Sequence, residues 1–304
     1  MAVTSSVAGI RVAGLLHMRL CSAQAKSLAA FYETALGFRQ VAVEHLSGAR
    51  ARERFGITGR ALRITLELGA QRIKLLQFVD QPGRDYPAAS KASDIVFQHF
   101  AIVVADMAQA MTRLSQVPGW TPITRKGPQQ LPASSGGVTA FKFRDPEGHP
   151  LELLAFPPDN TPAHWQNRQG HGPFLGIDHS AISVADGERS AAFYESLGLK
   201  RSGQSVNDDP AQARLDHLDH PCAEVIAMEP ARAAPHVELL CYGDPEKHTQ
   251  DKRDPLDLRA NDVAATCLVF EPARGFFRPE KCAAPVLDLV DPDGHRLAIV
   301  WPER

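Results

Sequence analysis

Histidines and carboxylates recur at matched places along this 304-residue chain. His17 sits in the apolar run GLLHMRL and His179 in GIDHSAISV, each 14 residues ahead of the Phe of an FYE tripeptide. Asp145 opens DPEGHPLELLAF and Asp291 opens DPDGHRLAIVW, so each half closes on a turn that carries a histidine, His149 or His295, before an apolar run. Neutral imidazoles combined with a carboxylate suit divalent metals of intermediate hardness and leave positions for oxygen ligands. A single strand histidine, by contrast, is ordinarily a hydrogen-bonded structural group. His149 and His295 occur in both halves, which fits a turn or supporting role. The tract LDHLDHP (215–221) mixes acids and histidines without a settled spacing and reads as a solvated loop that closes over a cleft.

These residues need a scaffold, and the repeat supplies it. Both ends of the two halves match in the same order, so one half is a diverged copy of the other. Residues 15–21 read as a strand, and Ser22 is a helix N-cap. Leu28, Phe31, Tyr32 and Ala35 form one helical stripe, and Gly37 fits the position after the helix. Strands follow at 38–44, 61–68 and 71–78. The pattern restarts with a strand at 96–104, a helix over 106–116 and strands near 138–144 and 150–156. Residues 157–175 are rich in Pro, Asn, Gln and Gly and read as a linker. The second half begins with a strand at 177–184, a helix at 187–197 and a strand near 235–242. Its last module, from the strand at 262–270, is abbreviated, with EPARGFF where a full helix would stand. The fold class is therefore α+β, with four βαβββ modules. Modules one and two are expected to pair as one domain (1–156), and the last two as a second (176–304).

A chain of this length has room for two ordinary domains. It is 44% hydrophobic and 22% charged, with a net charge of −2 and no basic run, which argues against nucleic acid or a membrane surface as partner. Cys21, Cys222, Cys241, Cys267 and Cys282 are scattered and odd in number, as reduced thiols of a cytoplasmic protein would be. No signal peptide or membrane-spanning run is read from the sequence.

The strand His followed by FYE and LG, repeated, and the terminal DPEGHPLEL resemble the vicinal oxygen chelate superfamily, which includes glyoxalase I, bleomycin-resistance proteins and extradiol dioxygenases. The resemblance covers nearly the whole chain. It implies that paired modules curve into a U-shaped cleft, with metal ligands on the first and final strands. Carried over to this sequence, the ligands are His17, His99 and Glu152, and the optional fourth position falls on Lys74, which cannot act as one. Strand alternation places His99, Ala101 and Val103 on one face. In the second half Glu238 holds the optional position, but Ala298 replaces the terminal acid and the strand at 262–270 has no His. That half is expected to be a metal-free partner, with His179 structural.

Two imidazoles and one carboxylate point first to non-haem Fe(II) and ring-cleaving dioxygenase chemistry. The extradiol pattern departs at Lys142 and Ala133, where those enzymes carry Tyr and His, and in which half bears the metal. The alternative is a glyoxalase-like isomerase or lyase using Zn, Ni, Mn or Mg as Lewis acid. A third reading is a binding protein without turnover. Lys142 and Lys74 are expected to position or polarise a small anionic substrate, and Ser134, Ser135, Gly136 and Gly137 to offer hydroxyl and backbone donors. A closed monomer and a homodimer are both compatible with the pattern.

Overall fold

The computed structural model describes residues 10–166, 172–232, 234–243, 257–275 and 286–301. The first module runs β1 (Val12–Cys21), α1 (Ala25–Leu36), β2 (Arg39–Leu46), α2 (Gly48–Phe55), β3 (Ala61–Leu68) and β4 (Gln71–Phe78). The second runs β5 (Phe97–Val104), α3 (Met107–Ser115), β6 (Thr121–Pro122), β7 (Gln129–Gln130), β8 (Thr139–Arg144) and β9 (Pro150–Ala155). The third runs β10 (Phe174–Ser183), α4 (Gly187–Ser196), β11 (Lys200–Asn207), α5 (Pro210–Asp216), β12 (Ala223–Glu229) and β13 (His236–Tyr242). The fourth retains β14 (Cys267–Pro272), β15 (Val286–Val290) and β16 (Arg296–Val300) among the described residues.

The α+β class and the modular order are as the sequence reading expects, but the modules pair differently. One sheet has the order β15-β16-β14-β1-β4-β3-β2, joining the first module to the fourth. The other has the order β11-β12-β13-β10-β5-β9-β8-β6, with β7 also on β8, joining the second module to the third. The seams are antiparallel: β1 lies against β14 and β10 against β5. The expected boundary at 157–175 thus falls inside one sheet. Part of that stretch is structural, since Trp165 is buried and Phe174 opens β10; residues 167–171 lie outside the described ones.

Local sequence explains each helix. In α1 the stripe Leu28, Phe31, Tyr32 and Ala35 is buried, and Gly37 ends the helix at φ 72°, where a Cβ would be strained. Asp106 and Asp186 cap α3 and α4 by accepting from the backbone N–H three residues on. Ser22 does not cap through its own helix; it donates to Glu147, while Gln24 N–H donates to both.

The two sequence motifs meet across modules. Tyr32 of the first FYE donates to Asp145 of the DPEGH turn at 3.0 Å, and Tyr194 of the second donates to Asp291 at 3.3 Å. His149 donates to Asp145 (2.8 Å) and to the Cys21 carbonyl at the end of β1 (2.8 Å), while His295 donates to the Ser183 carbonyl at the end of β10 (2.7 Å). Modules adjacent in sequence are therefore bolted on their helical sides, and sheets are completed by the other pairing. Both faces share one core, in which Met18, Leu20, Phe100, Ile102, Ile177, Ile182, Leu268 and Phe270 sit beneath the helices. That burial leaves the opposite faces of β1, β5, β10 and β14 to line the two concavities.

Candidate metal centre

The seam between β10 and β5 sets the site. His99 pairs with Ala181 and His179 with Ala101 across the antiparallel strands. On the outer sides, Ala101 pairs with Glu152 of β9 and Ala181 with Glu238 of β13. Paired residues share a face, so two histidines and two glutamates converge around two alanines. His99 Nε2 lies 2.6 Å from Glu152 Oε2 and 3.3 Å from His179 Nε2, and His179 Nε2 lies 3.4 Å from Glu238 Oε2. His99, Glu152 and His179 are all buried.

The donor set fits a divalent metal. Both imidazoles turn the same nitrogen inward, Glu152 meets it on His99 and Glu238 on His179, and His99 Nε2 faces Glu152 and His179 at once. Apposed imidazole nitrogens are satisfied by a shared proton or by a cation. The outer nitrogen of His179 is held by Asp178, 3.0 Å from Nδ1, which fixes the ring as carboxylates do for metal-binding histidines. Asp178 itself accepts from Trp165 Nε1 at 2.5 Å. Burial lowers the His99 pKa, with Glu152 opposing the shift and Lys142 adding to it. Burial acts likewise on His179, but Glu238, Asp178 and Glu152 more than offset it and push this ring up to about 9. For Glu238 burial works upward, and His179 and His236 overcome it to hold the carboxyl at about 2. The acids are thus anionic and crowd positive charge between them.

Lys142 stands beside Glu152 in the β8–β9 pairing, and its Nζ donates to Asp216 at 2.6 Å. Burial opposes the ammonium, but Asp216 and Glu152 outweigh it and raise the Lys142 pKa. Asp216 also accepts from Gln212 (2.6 Å) and the Tyr242 hydroxyl (2.9 Å). The tract at 215–221 is therefore not a uniformly solvated loop: Leu215 and Asp216 are buried against the site, and only its later residues face outward. A cavity of about 520 Å³ opens here, lined on one side by His99, Lys142, Glu152 and His179 and on the other by Ser134, Ser135 and Gly136. Ser135 donates to Asn207 at 2.7 Å across its mouth.

His17 and Lys74 are elsewhere. His17 lies on the β1–β14 seam opposite Val269, and Lys74 lies on β4 opposite Arg19. Neither lines the cavity with His99 and Glu152, because the first module turns its β1 edge to the fourth module. The structure therefore does not bring His17 and Lys74 to His99 and Glu152; His179 and Glu238 of the third module, the half expected to be a metal-free partner, stand on that seam instead. The signal was present, since the second and third modules together hold two His and two Glu at the ligand positions, while the first and fourth hold His17, Lys74, Cys267 and Ala298. His99, Glu152, His179 and Glu238 all belong to one chain. Among the described residues no helix is long and apolar enough to cross a membrane.

Residues 14–153 match the family model described as Glyoxalase/Bleomycin resistance protein/Dioxygenase superfamily. None of the curated proteins compared matches it in sequence. Among solved structures, glyoxalase I from Zea mays, as a single-substitution variant, matches with a TM-score of 0.61 at 16% identity, covering 94% of this chain and 92% of that one. A Bacillus subtilis "putative dioxygenase" matches with a TM-score of 0.58 at 15% identity, covering 96% of this chain and 86% of that one. The fold is that of two-domain glyoxalase I.

Proposed function

We propose that this protein is a divalent-metal enzyme of the Lewis-acid kind, an isomerase or lyase acting on a small, polar substrate with adjacent oxygens. The observation that carries this reading is a second carboxylate, Glu238, whose Oε2 lies 3.4 Å from His179 Nε2, beside the cluster of His99, Glu152 and His179. Those four residues would hold the metal, which when bound polarises a substrate carbonyl and acidifies the neighbouring C–H. Glu238, with its side chain about one-fifth exposed (21%), is the more accessible of the two glutamates that line the cavity and takes and returns the proton at Oε2. Glu152 (7% exposed) is fixed between His99 and Lys142 and serves as ligand. Lys142, anchored by Asp216, places a positive charge where a substrate carboxylate or phenolate docks. Ser134 and Ser135 offer hydroxyls from the facing wall.

The Fe(II) ring-cleavage reading rests on three ligands and an acid–base partner. Here the corresponding positions are Lys142, committed to Asp216, and Ala133, in a short 3₁₀ turn, so the structure favours the alternative weighed beside it. Metal analysis of the purified protein, oxygen uptake with a catechol panel and deuterium incorporation from D2O into an α-hydroxycarbonyl panel test the choice. The expected result is Zn, Ni, Mn or Mg with deuterium exchange and no oxygen uptake. Glu238→Gln should slow exchange by about 10² or more. Iron with catechol-dependent oxygen uptake would restore the dioxygenase assignment.

A further inference from the structure

The concave face of the seven-stranded sheet has lost the ligand set and gained positive charge. Arg19 on β1, Arg63 on β3, Lys74 on β4 and Arg296 on β16 alternate with residues buried beneath the helices, so they share the concave side. Arg54 joins them from α2, and both Arg19 and Arg54 lie over the Phe55 ring, at 5.1 and 5.9 Å. Two acids accompany these five cations. Glu44 is consumed by Arg63 in a two-pronged pair at 2.7 and 2.6 Å, and Asp288 is exposed. Among the described residues Arg19, Arg54 and Lys74 form no ion pair.

A second observation is independent of the charge count: Arg54 Nε is buried without a hydrogen-bond partner. A buried guanidinium N–H left unpaired is costly and marks a missing acceptor. The electrostatics agree. Burial, reinforced by Arg63, pushes the Lys74 ammonium down to about 8, and the buried ring of His17 is lowered further by Lys74 and Arg19. We infer that this face is a second ligand site, which binds a small phosphorylated molecule through Arg19, Arg54 and Lys74. Two forked guanidinium donors together with an ammonium match the several oxygens and near-double charge of a phosphate group better than a single carboxylate. The site is distinct from the metal centre and does not depend on the reaction assigned there.

Calorimetric titration of the full chain with pyrophosphate, and separately with inorganic phosphate, tests this inference. Saturable binding is expected, weakened at least tenfold in Lys74→Met and in Arg54→Met, and retained in Lys74→Arg, which keeps the charge. Glu152→Gln, at the other site, should bind pyrophosphate as the unmodified chain does. Unchanged affinity in both Met variants, with native circular dichroism, would overturn the inference. So would the absence of binding to the unmodified chain, or loss of binding in Glu152→Gln, which would place the anion at the metal centre.

Discussion

The two concave faces are built on the same register and differ at a few side chains. In the nine-stranded sheet His179 faces Ala101 and His99 faces Ala181, and the flanking strands add Glu152 and Glu238. In the seven-stranded sheet His17 faces Val269 and Cys267 faces Arg19, and the flanking strands add Ala298 and Lys74. Backbone pairing is preserved while each donor but one is replaced. The small central residues are replaced too, so a pair of alanines that leaves space gives way to Val269 and Arg19. The lesson is that the sheet specifies positions and the chemistry is a separate choice made at about six of them, one set rich in imidazole and carboxylate and the other in cations.

The comparison can be broken most forcefully by deleting donors. His99→Ala and Glu152→Ala should each leave the purified protein without stoichiometric metal and without turnover, as measured by elemental analysis and deuterium exchange. The reverse operation is to rebuild the lost set: Cys267→His, Ala298→Glu and Lys74→Glu beside the existing His17 should raise bound zinc from about one to about two equivalents per chain. Asp178→Asn should keep the ligands but loosen the orientation of His179, lowering metal affinity by about 10–100-fold in chelator competition.

A stability test addresses the bolts between modules. Both nitrogens of the buried His149 face acceptors, Asp145 and the Cys21 carbonyl, and although burial opposes the charge these partners raise its pKa. His149→Ala should cost about 3 kcal/mol in urea unfolding. Because the folded pKa is raised, the charged contribution is full below the unfolded value near 6.5 and is lost as pH rises through the folded value. The gap between the two proteins should therefore narrow in alkaline buffer. His17→Ala, the smallest expected effect, should leave metal content and turnover unchanged.

The main strands of the first half, the three long helices and the module order were legible because burial on one face imposes period-two and 3.6-residue patterns, whereas the mostly exposed β11 and the half-buried β12 carried no such pattern. Tyr32, Gly37 and Asp145 marked the repeat correctly, although the bond joining Tyr32 to Asp145 could not be read from either motif alone. Module pairing was hidden for a physical reason. The pattern of β1 states which face is buried but not whose edge it meets, and edge pairing is made by backbone groups common to all residues. His17 and His179 sit in equivalent local settings, so choosing between them required knowing the partner. That His99 and Glu152 stand together was legible because both belong to one module. Asp216 was missed because its acid-and-histidine neighbourhood looks solvated, whereas Lys142, Gln212 and Tyr242 make a buried place for it.

The nested order of the sheets also has a consequence during synthesis. The second and third modules adjoin in sequence and can zip together as soon as β13 has emerged from the ribosome. The first module, made before either, must keep the β1 edge without its strand partner until β14 has been made. Closing that contact last makes it a long-range, slow event, and an open sheet edge in the meantime is a template for unwanted pairing. Of these modules the first to be made is thus the last to finish, and the chain's exposure to misassembly lies at β1 rather than at the β5–β10 seam.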